Sequence, residues 1–144
     1  MNLSPHFTLE EMTRSEYAAR RGWPNDPEPA QVANLKRTCA LLEKVREVAE
    51  RPIIVTSGYR SGNVNSAIGG SKNSQHCLGC AADIRAVGLT VDDLMLLIVG
   101  SGIKYDQLIR EFDSWVHISV PNNPDDKPRM QRLIIDKEGT RAFP

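Results

Sequence analysis

Two short segments hold the residues whose types and spacing can do chemistry: Ser74-Gln75-His76-Cys77-Leu78-Gly79-Cys80-Ala81-Ala82-Asp83 and, downstream, Glu111-Phe112-Asp113-Ser114-Trp115-Val116-His117. Together they supply two imidazoles, His76 and His117, and one carboxylate, Asp83, with two further acids at Glu111 and Asp113. Neutral imidazole and carboxylate suit zinc, and three protein ligands with a fourth position left open make a catalytic rather than a structural site. His76, Asp83 and His117 are therefore the candidate metal ligands. The remaining histidine, His6, belongs to no motif and reads as a surface residue. Hydrolysis at such a site also needs a base that takes a proton from water and passes it to the leaving group. Glu111 and Asp113 are the candidates.

Strand geometry helps to choose between them, because directly opposed residues of an antiparallel hairpin point to the same face. A connection made of Phe112, Asp113 and Ser114 sets Glu111 opposite Trp115, on the face of His117. A two-residue connection would put Arg110 there instead. Glu111 is the favoured base, and Asp113 reads as a solvated turn carboxylate.

These residues also resemble a known family. Ser-x-His-x-x-Gly-x-Ala-x-Asp, followed by an acid and a Trp-x-His, is similar to the zinc peptidases that cut peptidoglycan stem peptides. These are the D-alanyl-D-alanine carboxypeptidases and L-alanyl-D-glutamate endopeptidases, which share a fold with the Hedgehog signalling domain. The likeness extends to Ser57-Gly58-Tyr59-Arg60-Ser61 upstream and, more weakly, to Phe7-Thr8-Leu9-Glu10-Glu11-Met12. It implies a zinc metallopeptidase acting on a peptidoglycan stem peptide, with the Hedgehog fold's zinc-proximal glutamate falling on Glu111. Other relatives carry the acid three residues before the last histidine, where this chain has Ser114. The resemblance further implies that Arg60 binds an anionic group of the substrate, which suits the two parallel hydrogen bonds a guanidinium offers a carboxylate. Ser74 is expected to donate to the substrate or to groups around the metal site, and Trp115 to wall the cleft or to pack in the core. Carboxypeptidase and endopeptidase both stay open. So does a phage-lysin or virion setting, and a zinc-stabilised binding module without catalysis is the alternative from another class.

The chain of 144 residues suits one domain spanning 1–144. With 18 basic and 18 acidic residues its net charge is zero, so nothing electrostatic argues for nucleic acid or a membrane surface as partner. A monomer is expected. The first residues lack the charged and apolar regions of a signal peptide. The expectation is cytoplasmic synthesis and action on the cell wall after release. Cys39, Cys77 and Cys80 leave an odd count without a disulfide framework. The C-x-x-C of Cys77 and Cys80 has no second pair to complete a four-ligand site, and reads as small packing side chains.

The elements that must position the chemistry follow from local signals. Thr8-Leu9-Glu10-Glu11 predicts a capped helix, with Phe7 and Met12 as its staple. Gly22 to Pro29 reads as a surface connection. Val32, Leu35, Cys39, Leu42, Val45 and Ala49 repeat at helical spacing and predict an amphipathic helix from Pro29 that ends before Pro52. Ile53 to Thr56 and Ala81 to Arg85 read as strands, residues 60–73 as loop or broken helix, and Thr90-Val91-Asp92-Asp93 as the start of a second long helix. Asp106 to Glu111, Trp115 to Val120 and Arg132 to Asp136 complete the strands. On Trp115 to Val120 the apolar Val116, Ile118 and Val120 alternate with Trp115, His117 and Ser119. The predicted class is α+β: an antiparallel sheet with helices on one face and a zinc cleft on the other.

Overall fold

The computed structural model describes all 144 residues. A two-stranded ribbon, β1 (Asn2–Ser4) and β2 (Phe7–Thr8), leads into helices α1 (Leu9–Thr13), α2 (Glu16–Arg21) and α3 (Pro29–Ala49). Then come β3 (Ile53–Ser57), α4 (Gly62–Ala67), a 3-10 turn over Gln75–Leu78, β4 (Ala81–Ala86), α5 (Val91–Ser101), β5 (Gln107–Glu111), β6 (Trp115–Ser119), β7 (Gln131–Asp136) and β8 (Gly139–Ala142). The capping box at Thr8 is formed in both directions, Thr90 caps α5 through Asp93, and Pro29 occupies the start of α3.

The main sheet runs β3-β4-β6-β5-β7-β8. Its residues alternate as the sequence predicts for β6. Ala82 and Ile84 of β4, Leu108 of β5, and Val116 and Ile118 of β6 join Leu35, Cys39, Leu42 and Val45 of α3 and Leu94, Met95 and Ile98 of α5 in one core of 23 buried residues. Burying a side chain of this size is worth roughly 1.5–3 kcal/mol, so the α3 and α5 contacts fix which face of each strand turns inward. A one-residue slip would invert every strand. Asp83, His117 and Ile109, which alternate with those core residues, stand in one cross-strand row.

The class is α+β, but the sheet is mixed rather than antiparallel. β5 and β7 pair in parallel, from Gln107 opposite Gln131 to Glu111 opposite Ile135. The reason lies in where β6 ends. Val120 leaves the sheet beside the start of β5, and the chain through Pro121, Pro124 and Pro128 rejoins it there, with Met130 N–H donating to Tyr105 O at 3.1 Å and Gln131 N–H to Asp106 O at 3.0 Å. β7 therefore starts at the same end as β5. Three elements escaped the sequence reading: α2, the β1–β2 ribbon and the exposed edge strand β8. Residues 60–73 contain the short helix α4, capped by Ser61.

Candidate active site

Each member of the predicted ligand set arrives on a different element. Asp83 of β4 stands directly opposite His117 of β6, so both point to the same face. His76 comes from the 3-10 turn just before β4 and completes the group. One ligand atom from each of the three lies within 4.8 Å of the others, and all three side chains are buried, His76 to 2% and Asp83 and His117 to 8% exposure. One oxygen of the Asp83 carboxylate lies 3.0 Å from His117 Nδ1 and 3.3 Å from His76 Nε2.

Several backbone contacts aim His76. Its Nδ1 lies 2.7 Å from the Gly58 carbonyl, which makes it the donor and leaves Nε2 to face Asp83. Gly58 can be nothing larger, because a Cβ there would lie 2.3 Å from the Met12 carbonyl oxygen. The 3-10 turn is tied to α3, where Gln31 donates to Cys77 O at 3.2 Å and Thr38 to Gly79 O at 2.8 Å. Gly79 closes that turn at φ +80°, against the Gln31 carbonyl, where a side chain would be both strained and blocked. Ser74 caps the same turn, its hydroxyl accepting from His76 N–H at 3.2 Å.

The protonation states suit metal binding. Burial pushes the His76 imidazole below its ordinary pKa, against the pull of Asp83, and so favours the neutral ligand form. Burial would raise the Asp83 carboxyl, but the two imidazoles beside it hold it below the usual carboxylate range and so favour the ionised ligand form. An isolated buried pair of imidazoles on one carboxylate is an arrangement that a cation satisfies directly.

Glu111 opposes Trp115, and the hairpin connection is the three residues Phe112, Asp113 and Ser114. Phe112 and Asp113 both adopt left-handed backbone, at φ 51° and 56°, which non-glycine residues adopt uncommonly. Glu111 thus shares the face of His117 and lines the cleft with the candidate ligands. Burial raises its pKa and the negative charge of Asp83 adds to this, while His117, Trp115 and Arg60 pull the other way. The Trp115 indole N–H sits beside the Glu111 carboxylate and favours its charged form without reaching hydrogen-bond geometry. Asp113 turns away. It pairs with Arg110, which also holds Asp92 at the start of α5 at 2.6 Å, and it does not line the cleft.

The cleft has a volume of about 550 Å³, with His76, Asp83, His117 and Glu111 in its wall and Arg60, Ser74, Trp115 and Arg129 around them. A depression of about 570 Å³ between the β4–α5 connection and the hairpin turn contains none of the ligand residues. Arg60 follows β3, and its backbone N–H donates to His76 O at 3.2 Å. Its Nε is buried without a partner.

The family model described as Peptidase M15 matches residues 5–119. The chain belongs to the peptidase M15 family. A zinc D-Ala-D-Ala carboxypeptidase from Streptomyces albus G is 42% identical over 55 residues, which cover 38% of this chain and 22% of that relative. The chain thus matches only about a fifth of the relative's length. The family read from the motifs is the one that matches, and M15 membership is consistent with the metal-binding donor set in the cleft.

The sequence reading missed the supports. Asn25, assigned to a surface connection, donates to Thr13 O at 2.8 Å and Tyr59 O at 3.0 Å and accepts from Ser61 N–H at 2.7 Å, bracketing the loop that carries Arg60. Gln75, inside the motif but given no role, is buried and donates from Nε2 to Val120 O at 3.0 Å and Asp106 Oδ2 at 3.1 Å. Cys77 and Cys80 belong to neither the ligand group nor the cleft wall, and all three cysteines are free thiols. No helix is long and apolar enough to cross a membrane.

Proposed function

We propose that residues 1–144 act as one zinc-dependent peptidase unit, a monomer that hydrolyses a peptide bond in the stem peptides of bacterial peptidoglycan. His76, Asp83 and His117 are its zinc ligands and Glu111 its general base. Two imidazole nitrogens and one carboxylate, buried and converging within 4.8 Å, fit zinc in number and kind. The zinc D-Ala-D-Ala carboxypeptidase relative supports both the metal and the wall peptide. The proposed architecture has α3 and α5 covering one face of the sheet and the cleft opening on the other.

When bound, zinc supplies a Lewis acid that polarises the scissile carbonyl and acidifies water. Glu111 takes the proton from the attacking water and delivers it to the leaving amine. Arg60 binds a substrate carboxylate. Ser74, whose oxygen already accepts from His76 N–H, keeps its own hydrogen for a substrate carbonyl, and Trp115 walls the cleft beside Glu111. A D-alanyl-D-alanine or an L-alanyl-D-glutamate bond is the one cut.

The observation that carries this reading is that Glu111, half-buried, lines the same cleft as the three ligands in a chain of the M15 family. A purely structural metal site needs neither that acid nor Arg60. The test is hydrolysis of a synthetic stem peptide by zinc-loaded, chelator-stripped and zinc-restored protein. Cleavage should vanish with the metal and return with it. A folded, zinc-loaded protein that cleaves no stem peptide would contradict the reading.

A further inference from the structure

Arg129 reaches the cleft from the side opposite Arg60. In the sheet order β3-β4-β6-β5-β7-β8, Arg60 follows β3 and Arg129 lies in the chain just before β7, so β4 and β6 with Asp83 and His117 run between them. Along the strands both arginines lie at the end where β3 finishes and β5 and β7 begin, so their separation is across the sheet. Glu111 and Trp115 lie at the hairpin end of the row formed by Asp83, His117 and Ile109, while Gln107 and Arg129 lie at the other end. Both arginines line the one cleft.

Arg129 is held as a rigid group. Asp106, its side chain only 5% exposed, accepts from Arg129 Nε at 3.0 and 3.1 Å, from Nη2 at 2.6 Å and from the backbone N–H at 3.1 Å. Gln75, the residue before His76, donates to the same carboxylate at 3.1 Å. Three of these five hydrogen bonds to the carboxylate come from the guanidinium and pin its plane. These bonds use only the Nε edge. The Nη1–Nη2 edge has two further parallel N–H groups with no protein partner, on a side chain that is 56% exposed. That edge has the geometry that grips a carboxylate in a fork.

We propose that the free edge of Arg129 binds a second carboxylate of the substrate, so that the cleft holds a peptide with acidic groups on both sides of the scissile bond. This rests on the peptidase reading above and narrows it. A terminal residue anchored by Arg60 alone would leave Arg129 idle, whereas an acidic peptide crossing the cleft engages both guanidinium groups. Asp106 and Gln75 act as positioning residues, through Arg129 and the turn that bears His76.

The experiment compares a synthetic stem peptide with all its carboxylates free and the same peptide converted to a carboxamide at one carboxylate at a time. Turnover is measured with the zinc-loaded protein, and affinity with the Glu111→Gln variant. One carboxamide besides the one that answers to Arg60→Lys should weaken binding by roughly 10- to 100-fold, the range for a hydrogen-bonded charged group. Arg129→Gln should bring the free-acid peptide down to the carboxamide's level and leave the carboxamide itself unaffected. Arg129→Lys keeps a charge beside Asp106 but not the fork, and should show the same loss with a melting temperature nearer the unaltered chain's than that of Arg129→Gln. If no carboxamide other than Arg60's matters to the unaltered cleft, or if both Arg129 variants weaken every peptide equally, the assignment is overturned while the peptidase reading stands. If no peptide is cleaved by the folded, zinc-loaded protein, the peptidase reading itself is what fails.

Discussion

Glu111 and Trp115 face each other as the last pair of the β5–β6 hairpin, and that pairing puts the glutamate on the same face as His117, two positions along β6. The neighbouring pair, Arg110 and Val116, points the other way, and Arg110 draws Asp113 after it. One register therefore separates the two acids, one beside the candidate ligand group and the other in the hairpin turn.

Glu111→Gln nearly preserves shape but cannot accept a proton. Zinc content should stay near one equivalent while kcat falls by roughly two to four orders of magnitude. Asp113→Asn should change kcat far less, and metal analysis with steady-state kinetics on the two variants checks both. An inactive Asp113→Asn with an active Glu111→Gln would reverse the assignment.

Gly58→Ala tests the link between α1 and His76. The added methyl would meet the Met12 carbonyl at 2.3 Å, and backbone on both sides cannot yield cheaply. Overpacking of this kind typically costs about 1–3 kcal/mol. A lowered melting temperature is expected together with weaker zinc binding, because the Gly58 carbonyl that orients His76 must move. Serine at both Cys77 and Cys80 makes the contrasting pair. Its zinc content and kcat should match the unaltered chain, since neither thiol faces the cleft.

Acid should loosen the far end of the cleft through Asp106. Burial alone would raise its carboxyl, but the hydrogen bonds and charge of Arg129, with Gln75, hold it below its ordinary value in the folded chain. A carboxyl whose folded pKa is depressed contributes stability above its unfolded pKa, about 3.9, and loses it as pH falls through the lower folded value. Asp106→Asn should therefore be less stable than the unaltered chain near neutrality, and the gap should narrow below about pH 4. Urea unfolding of both proteins across that range checks it. A gap that widens toward acid would contradict the ion pair's role.

The parts of this molecule that could be read from the sequence are those with local signals. Thr8 and Thr90 announce capped helices through side chains that bond three residues ahead, and β6 shows its two faces through strict alternation. His76, Asp83, His117 and Glu111 stood out as candidates because the chain has only three histidines and the spacing of the acids around two of them is distinctive. The parallel pairing of β7 with β5 was hidden, because the partner of a strand is set by where the intervening chain returns and not by its own residues. β8 was hidden because all four of its residues are exposed and give no alternation. Gly58 and Asn25 were hidden for another reason. One acts through a backbone carbonyl and the other through contacts to backbone groups 12 to 36 residues away, and neither leaves a residue-type signature.

Mass spectrometry of purified peptidoglycan after digestion by the zinc-loaded protein, with Glu111→Gln run alongside, addresses the central claim most directly because it reports the activity and the bond together. New stem-peptide termini should appear at one linkage with the unaltered chain and be absent, or reduced by orders of magnitude, with Glu111→Gln. Intact stem peptides after digestion by folded, zinc-loaded protein, or equal cleavage by Glu111→Gln, would contradict a zinc peptidase that uses Glu111 as its base.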